Sequence, residues 1–170
     1  MGPPTGAVPG LNFPMPRTSF IWFLFLVPLL LSCSSDTLAP DEKIRQLLAE
    51  GELAVESRSV SAVAPFVSEG YRDDRGQDRR SVLRLLAGYF LGHQSIHLLT
   101  QVTGVTLTGD EEAEATVFVA VAGQPIESTS QLLSLRADLI RLSIRLSSES
   151  GDWQVVSAQW RRAEPADFLN

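Results

Sequence analysis

The sequence predicts an α+β fold in which three N-terminal helices pack on a curved antiparallel sheet of about four strands. Three observations predict it. Up to Gly92 the apolar residues fall mainly at helical spacing, and from Ser95 the period changes to two. The Gly-Asp pairs at 109–110 and 151–152 mark turns between alternating runs. The totals agree, since 170 residues, 44% hydrophobic and 20% charged, supply one core and a short extra segment. A formal net charge of −6 argues against a general nucleic-acid binder, which needs a basic surface to neutralise phosphates.

The extra segment is N-terminal. Phe20 to Leu31, FIWFLFLVPLLL, is an apolar run of about 12 residues with Arg17 as its positive flank. A membrane-spanning helix needs roughly 20. The run ends in Leu30-Leu31-Ser32-Cys33, and Cys33 is the chain's one cysteine, so no internal disulfide is possible. This ending resembles the lipobox of bacterial lipoproteins. The resemblance implies cleavage before Cys33, a diacylglyceryl thioether on its sulfur and an acyl chain on the new amino group. Two or more chains hold a membrane firmly where one holds it marginally. Residues 1–32 are therefore expected to be a signal peptide and 33–40 a lipidated tether. An ordinary secretory signal or an N-terminal anchor is the alternative. Met1 to Pro14 is rich in Pro and Gly and uncharged, whereas Met15 opens a leader of more usual length, so Met15 is the expected start. Ser34 stands where an Asp commonly retains lipoproteins at the inner membrane, so the resemblance places the protein at the outer membrane, facing the periplasm. Removing Arg17 with the leader takes the formal net charge to −7.

The folded region is expected over 41–163. Asp41 to Ser57 reads as a helix, with Ile44, Leu47, Leu48, Ala54 and Val55 near helical spacing and acids in its first turn. Ser59 is a plausible N-cap for a short helix to Val67, which Pro65 bends or shortens. Phe66 to Arg80, FVSEGYRDDRGQDRR, is the polar connection and the densest set of ionisable groups. Asp78 caps a third helix, Arg79 to Gly92. Strands follow from Ser95, over Glu112–Ala122, over Leu135–Ser148 with Ile140, Leu142, Ile144 and Leu146 inward, and over Trp153–Arg162 with Val156, Ala158 and Trp160 on one side. Residues 164–170 read as a tail.

The order of these pieces resembles the nuclear transport factor 2-like superfamily, the cone-shaped fold shared with ketosteroid isomerases and polyketide cyclase-like proteins. The features that carry it are a first helix ending AVES, a short helix ending PFVS, the YRDDRG segment, a third helix ending at Tyr89-Phe90, and the closing GDWQVVSAQWRR. The resemblance implies a hollow between helices and sheet. It also implies a proton-moving Asp soon after the second helix, at or near Asp74, and an oxyanion-stabilising tyrosine on the first helix. That tyrosine position falls near Glu50, and the first helix holds no tyrosine. The strands facing the hollow offer no obvious neutral acid, and the strand Leu135–Ser148 holds only Asp138, near its start.

The catalytic candidates are thus Tyr71 and Asp74, and the pocket-lining candidates are Tyr71 and Trp160. The competing reading has Asp73, Asp74 and Asp78 in solvent, paired with Arg72, Arg75 and Arg79. His93 and His97 have the spacing of helical metal ligands, but Gly92 is expected to end the helix first, and no metal or other cofactor is expected. Arg136, Arg141, Arg145, Arg161 and Arg162 form a basic strand face that could meet an acidic envelope partner or a second copy. The function expected is an envelope lipoprotein whose domain binds a ligand or a protein without catalysis. The alternatives are an isomerase, dehydratase or cyclase with Asp74 as base, and an assembly factor acting through the sheet face.

Overall fold

A computed structural model describes residues 38–149 and 151–168. Cys33, the leader before it, most of the tether and the last two tail residues lie outside the described residues. Helix α1 spans Pro40–Glu56, α2 Val60–Val63 and α3 Arg79–Gly92. Strands β1 (His97–Leu107), β2 (Glu112–Ala122), β3 (Asp138–Glu149) and β4 (Asp152–Arg162) pair antiparallel in the order β1-β2-β3-β4. The α+β expectation holds. Among the described residues no helix is long and apolar enough to cross a membrane.

Local chemistry sets the helix boundaries. Pro40 occupies the first turn of α1, where its missing N–H costs nothing, and Asp41 and Glu42 face the positive end of the helix dipole. The helix stops at Arg58, whose φ of 55° turns the chain into the left-handed region. Its guanidinium then donates to the carbonyls of Phe90 (2.8 Å) and Gln94 (2.7 Å), which ties the end of α1 to the end of α3. The Ser59 hydroxyl caps α2, and Pro65 tightens the following turn, Ala64–Phe66, into a 3₁₀ helix. Asp78 caps α3 by accepting from the Ser81 N–H at 2.8 Å.

The core lies on the inner sheet face. Ile44 of α1, fully buried, packs with Ala113, Ala115 and Val117 of β2 and with Ile144 and Leu146 of β3. Each such large side chain contributes roughly 1.5–3 kcal/mol on burial. A second cluster, built on Ala54, Val63, Val67, Tyr71, Phe90 and Ile96, fills the space among the three helices and the sheet. Glu52 and Glu56, one turn apart on α1, pin the edge strand β1. Glu56 accepts from the Leu98 N–H at 2.8 Å, and Glu52 accepts from the Thr100 hydroxyl.

In β3, in β4 and in the tail the structure departs from the sequence expectations. β3 begins at Asp138, not Leu135, because Arg136 takes φ 51° and the preceding residues form a turn with Leu132 buried. In β4 a bulge opposite Arg145/Leu146 shifts the register, so Val155 joins the core in place of Val156, while Ala158 and Trp160 keep the inner face. The tail does not trail into solvent. Residues Pro165–Phe168 form a 3₁₀ turn, and the Phe168 ring sits 5.7 Å from Phe118, edge to face, in a third cluster on the outer face of the sheet.

Candidate functional site

The connection after α2 is built onto the edge of β4. Val67 bridges Val155 in parallel, the Ser68 N–H donates to Val155 (3.0 Å) and the Arg72 N–H to Val156 (3.0 Å), at the bulge. Arg79, from the first turn of α3, holds the same segment from the other side. Its Nε donates to the Val67 carbonyl and a terminal nitrogen to the Ala64 carbonyl, both at 2.9 Å, and it meets Glu69 at 2.9 Å.

This scaffold carries Tyr71 inward, 3% exposed, among Val63, Phe90 and Ile96. Burial raises the Tyr71 phenol above its ordinary pKa, and the Asp73 charge raises it further. A backbone hydrogen bond with Ala158 works the other way, and Asp74 adds a smaller upward push.

The buried acid is Asp73, at 6% exposure, while Asp74 is exposed. The position expected to move a proton therefore faces solvent, and its neighbour holds the interior. The reason is the turn. Asp73 Oδ1 accepts from the N–H groups of Arg75 (2.9 Å) and Gln77 (2.8 Å), and Gly76 closes the loop with φ 75°. Asp73 Oδ2 and Gln77 Oε1 are buried without a hydrogen-bond partner.

The expected ion pairs of Asp73, Asp74 and Asp78 with Arg72, Arg75 and Arg79 do not form among the described residues. Asp78 caps α3, and its carboxyl is held below the ordinary value, chiefly by the Ser81 hydrogen bonds. Arg75 lies over the Trp160 ring instead, 4.4 Å from its centroid. Trp160 is half-buried on the inner face, directly across from Leu142. Tyr89 of α3 is also half-buried, and its phenol is raised first by burial and then by the Asp138 charge. Trp160 and Leu142 thus stand side by side on the inner sheet face with Arg75 over the indole, while Tyr89 and Tyr71 belong to the cluster among the helices. An apolar surface with a few polar groups at its margin suits a small, mostly apolar ligand.

The two histidines are apart in role. His93 stacks on Tyr89 at 4.0 Å and donates to the Tyr89 carbonyl at 2.8 Å, whereas His97 opens β1 opposite Ala122. Among the described residues no group of three His, Cys, Asp or Glu side chains is placed to hold a metal ion. Glu52 and Glu56 escaped the sequence reading, although their spacing of four on one helix face was the available signal.

No family model matches the chain, and no curated protein matches it. Solved structures do match. A domain with a cystatin-like fold from Nostoc punctiforme is 20% identical, with a TM-score of 0.58 over 75% of this chain and 80% of that one. A proposed scytalone dehydratase from Novosphingobium aromaticivorans is 10% identical, with a TM-score of 0.60 over 73% of this chain and 84% of that one. A proposed dehydratase of the nuclear transport factor 2-like family from Streptomyces avermitilis is 16% identical, with a TM-score of 0.58 over 73% of this chain and 97% of that one. The described region has the nuclear transport factor 2-like, cystatin-like cone fold.

Proposed function

We propose that this chain is an envelope lipoprotein, anchored through lipid on Cys33 at the outer membrane facing the periplasm, whose domain binds a small apolar ligand without catalysis. The observation that carries the binding reading is the commitment of the candidate acid and phenol to structure. Asp73 Oδ1 accepts two backbone N–H groups of its own loop, and Tyr71 is packed in the core. What remains at the edge of the inner face is an apolar surface with Trp160 in it. Titration with a naphthalene probe, followed by tryptophan emission, tests this reading. Saturable quenching in the wild type and its loss in Leu142→Glu, with the fold retained, support it; no saturable quenching refutes it. The anchor rests on the lipobox and its apolar leader. Cys33→Ser is expected to leave unprocessed precursor and to abolish labelling by radioactive palmitate, and labelling that persists refutes it.

One observation favours a second reading. The Asp73 Oδ2 atom is buried and unpartnered, and its charge is felt by the Tyr71 phenol. Two of the structural neighbours are proposed dehydratases. On this reading Asp73, in place of Asp74, takes a proton and Tyr71 donates a hydrogen bond to the developing oxyanion. Asp73→Asn keeps an acceptor for the backbone N–H groups and removes the base. Deuterium exchange at the α-carbon of a cyclic ketone by the wild type, lost in Asp73→Asn, supports the enzyme; absence of exchange in the wild type sinks it.

A further inference from the structure

The outer face of the sheet carries a grid of side chains across β2, β3 and β4. Its rows are Phe118–Arg141–Arg161, Thr116–Ser143–Gln159 and Glu114–Arg145–Ser157. Arg162 is not part of it, since it pairs with Ile140 and shares the inner face, and Arg136 sits in the turn before β3. The grid holds three arginines and one carboxylate in a chain of net charge −6.

None of Arg141, Arg145 and Arg161 is in an ion pair with a carboxylate among the described residues. Arg141 and Arg161 stand directly opposite each other, an arrangement that is repulsive without an anion between them. Arg141 Nε is buried without a hydrogen-bond partner while its guanidinium lies 5.7 Å from the Phe118 ring. Beside this pair the short hydroxyl side chains of Thr116, Ser143 and Ser157 leave a concavity of about 270 Å³, walled by Gln159, Arg145 and Glu114.

We propose that this face docks an acidic segment of a partner protein. The choice of occupant follows from spacing. Arg141 and Arg145 are four residues apart on one strand, about 13 Å. A single phosphate cannot bridge that distance, whereas a run of Asp or Glu side chains meets both ends, with the hydroxyls and Gln159 donating between them. In a second copy the same face, three arginines and one carboxylate, would meet a face of the same net positive charge, so the charge balance favours an acidic partner.

The test uses the full chain in detergent and a fluorescently labelled hexaglutamate peptide, read by anisotropy at low salt. Binding is expected to weaken about tenfold or more in the double variant Arg141→Gln/Arg161→Gln, and to be unaffected by Arg80→Gln, an exposed arginine of α3 away from the grid. Circular dichroism checks that the variants keep their fold. Should the double variant unfold, Ser143→Glu, which puts a like charge in the middle row, replaces it and is expected to weaken binding as strongly. The proposal is overturned by no hexaglutamate binding. It is equally overturned by equal losses in Arg80→Gln and the grid variants, by inorganic phosphate at equal charge competing as well as the peptide, or by sedimentation showing that the grid variants abolish self-association and leave peptide binding intact.

Discussion

Phe168→Ala is the sharpest test of how this domain is closed. The ring is 3% exposed, meets Phe118 edge to face at 5.7 Å, and covers Ala120, Leu132 and Ala163 on the outer sheet face. Truncating a buried phenylalanine costs about 3–5 kcal/mol, the spread depending on how far the site collapses. Phe168 is carried by a short 3₁₀ turn that can shift to close part of the space, so the expected cost is at the lower end, about 3 kcal/mol. Unfolding entropy of roughly 2.1 cal/mol/K per residue gives about 0.27 kcal/mol/K for a domain of about 130 residues, so the Tm should fall by about 11 °C. Urea denaturation should show a lower midpoint with the same slope, because the surface exposed on unfolding barely changes. Leu91→Ala, at a site 89% exposed, is the control and should move the Tm little. A Phe168→Ala Tm within about 2 °C of wild type would refute the packed tail, and with it the account of the outer-face cluster.

Further predictions concern the connection between α2 and α3. Arg79→Lys cannot reproduce the two carbonyl bonds and should destabilise the domain by about 2 kcal/mol in urea titrations, since bonds to charged groups are worth about 1.5–3 kcal/mol. Glu69→Ala removes only an exposed partner and should cost under about 1 kcal/mol. The folded Tyr71 pKa is raised, so its contribution is complete below the ordinary value of 10.0 and is lost as pH rises through the folded value. Tyr71→Phe should therefore flatten the alkaline limb of a Tm–pH curve, and a limb identical to wild type would count against the burial of the phenol. Asp78 behaves in the opposite sense. Its lowered pKa gives stability above the ordinary 3.8 that is lost as pH falls through the folded value, so Asp78→Asn should show a shallower acid limb in the same melts.

The parts of this fold that were legible in sequence are those governed by local chemistry. The capping residues Ser59 and Asp78 and the alternation of Ile140, Leu142, Ile144 and Leu146 act within a few residues of chain, and the structure reproduces them. The misread parts depend on partners distant in sequence. Val155 replaces Val156 in the core because of a bulge against β3, which no period in β4 alone reveals. Phe168 is a lone aromatic near the end of the chain, and its meaning comes from Phe118, fifty residues earlier. The site shows the same division. Tyr71 and Trp160 were identifiable as aromatic residues in polar or alternating surroundings. Which of two adjacent aspartates is buried was decided by a turn that closes on the N–H groups of Arg75 and Gln77.

The seating of the 65–72 segment on β4 also constrains the order in which the molecule can assemble. The Gln154 side chain donates to the Pro65 carbonyl at 2.8 Å across 89 residues of chain, and Ser68 and Arg72 take their carbonyl partners from the same stretch of β4. The meander joins each strand to the next by local hairpins, which close early at low entropic cost. The Tyr71–Asp73 loop has no such shortcut. During synthesis it must wait for the last strand, so the part of the chain made among the first to fold is among the last to be fixed, and any ligand that binds there reports on a finished domain.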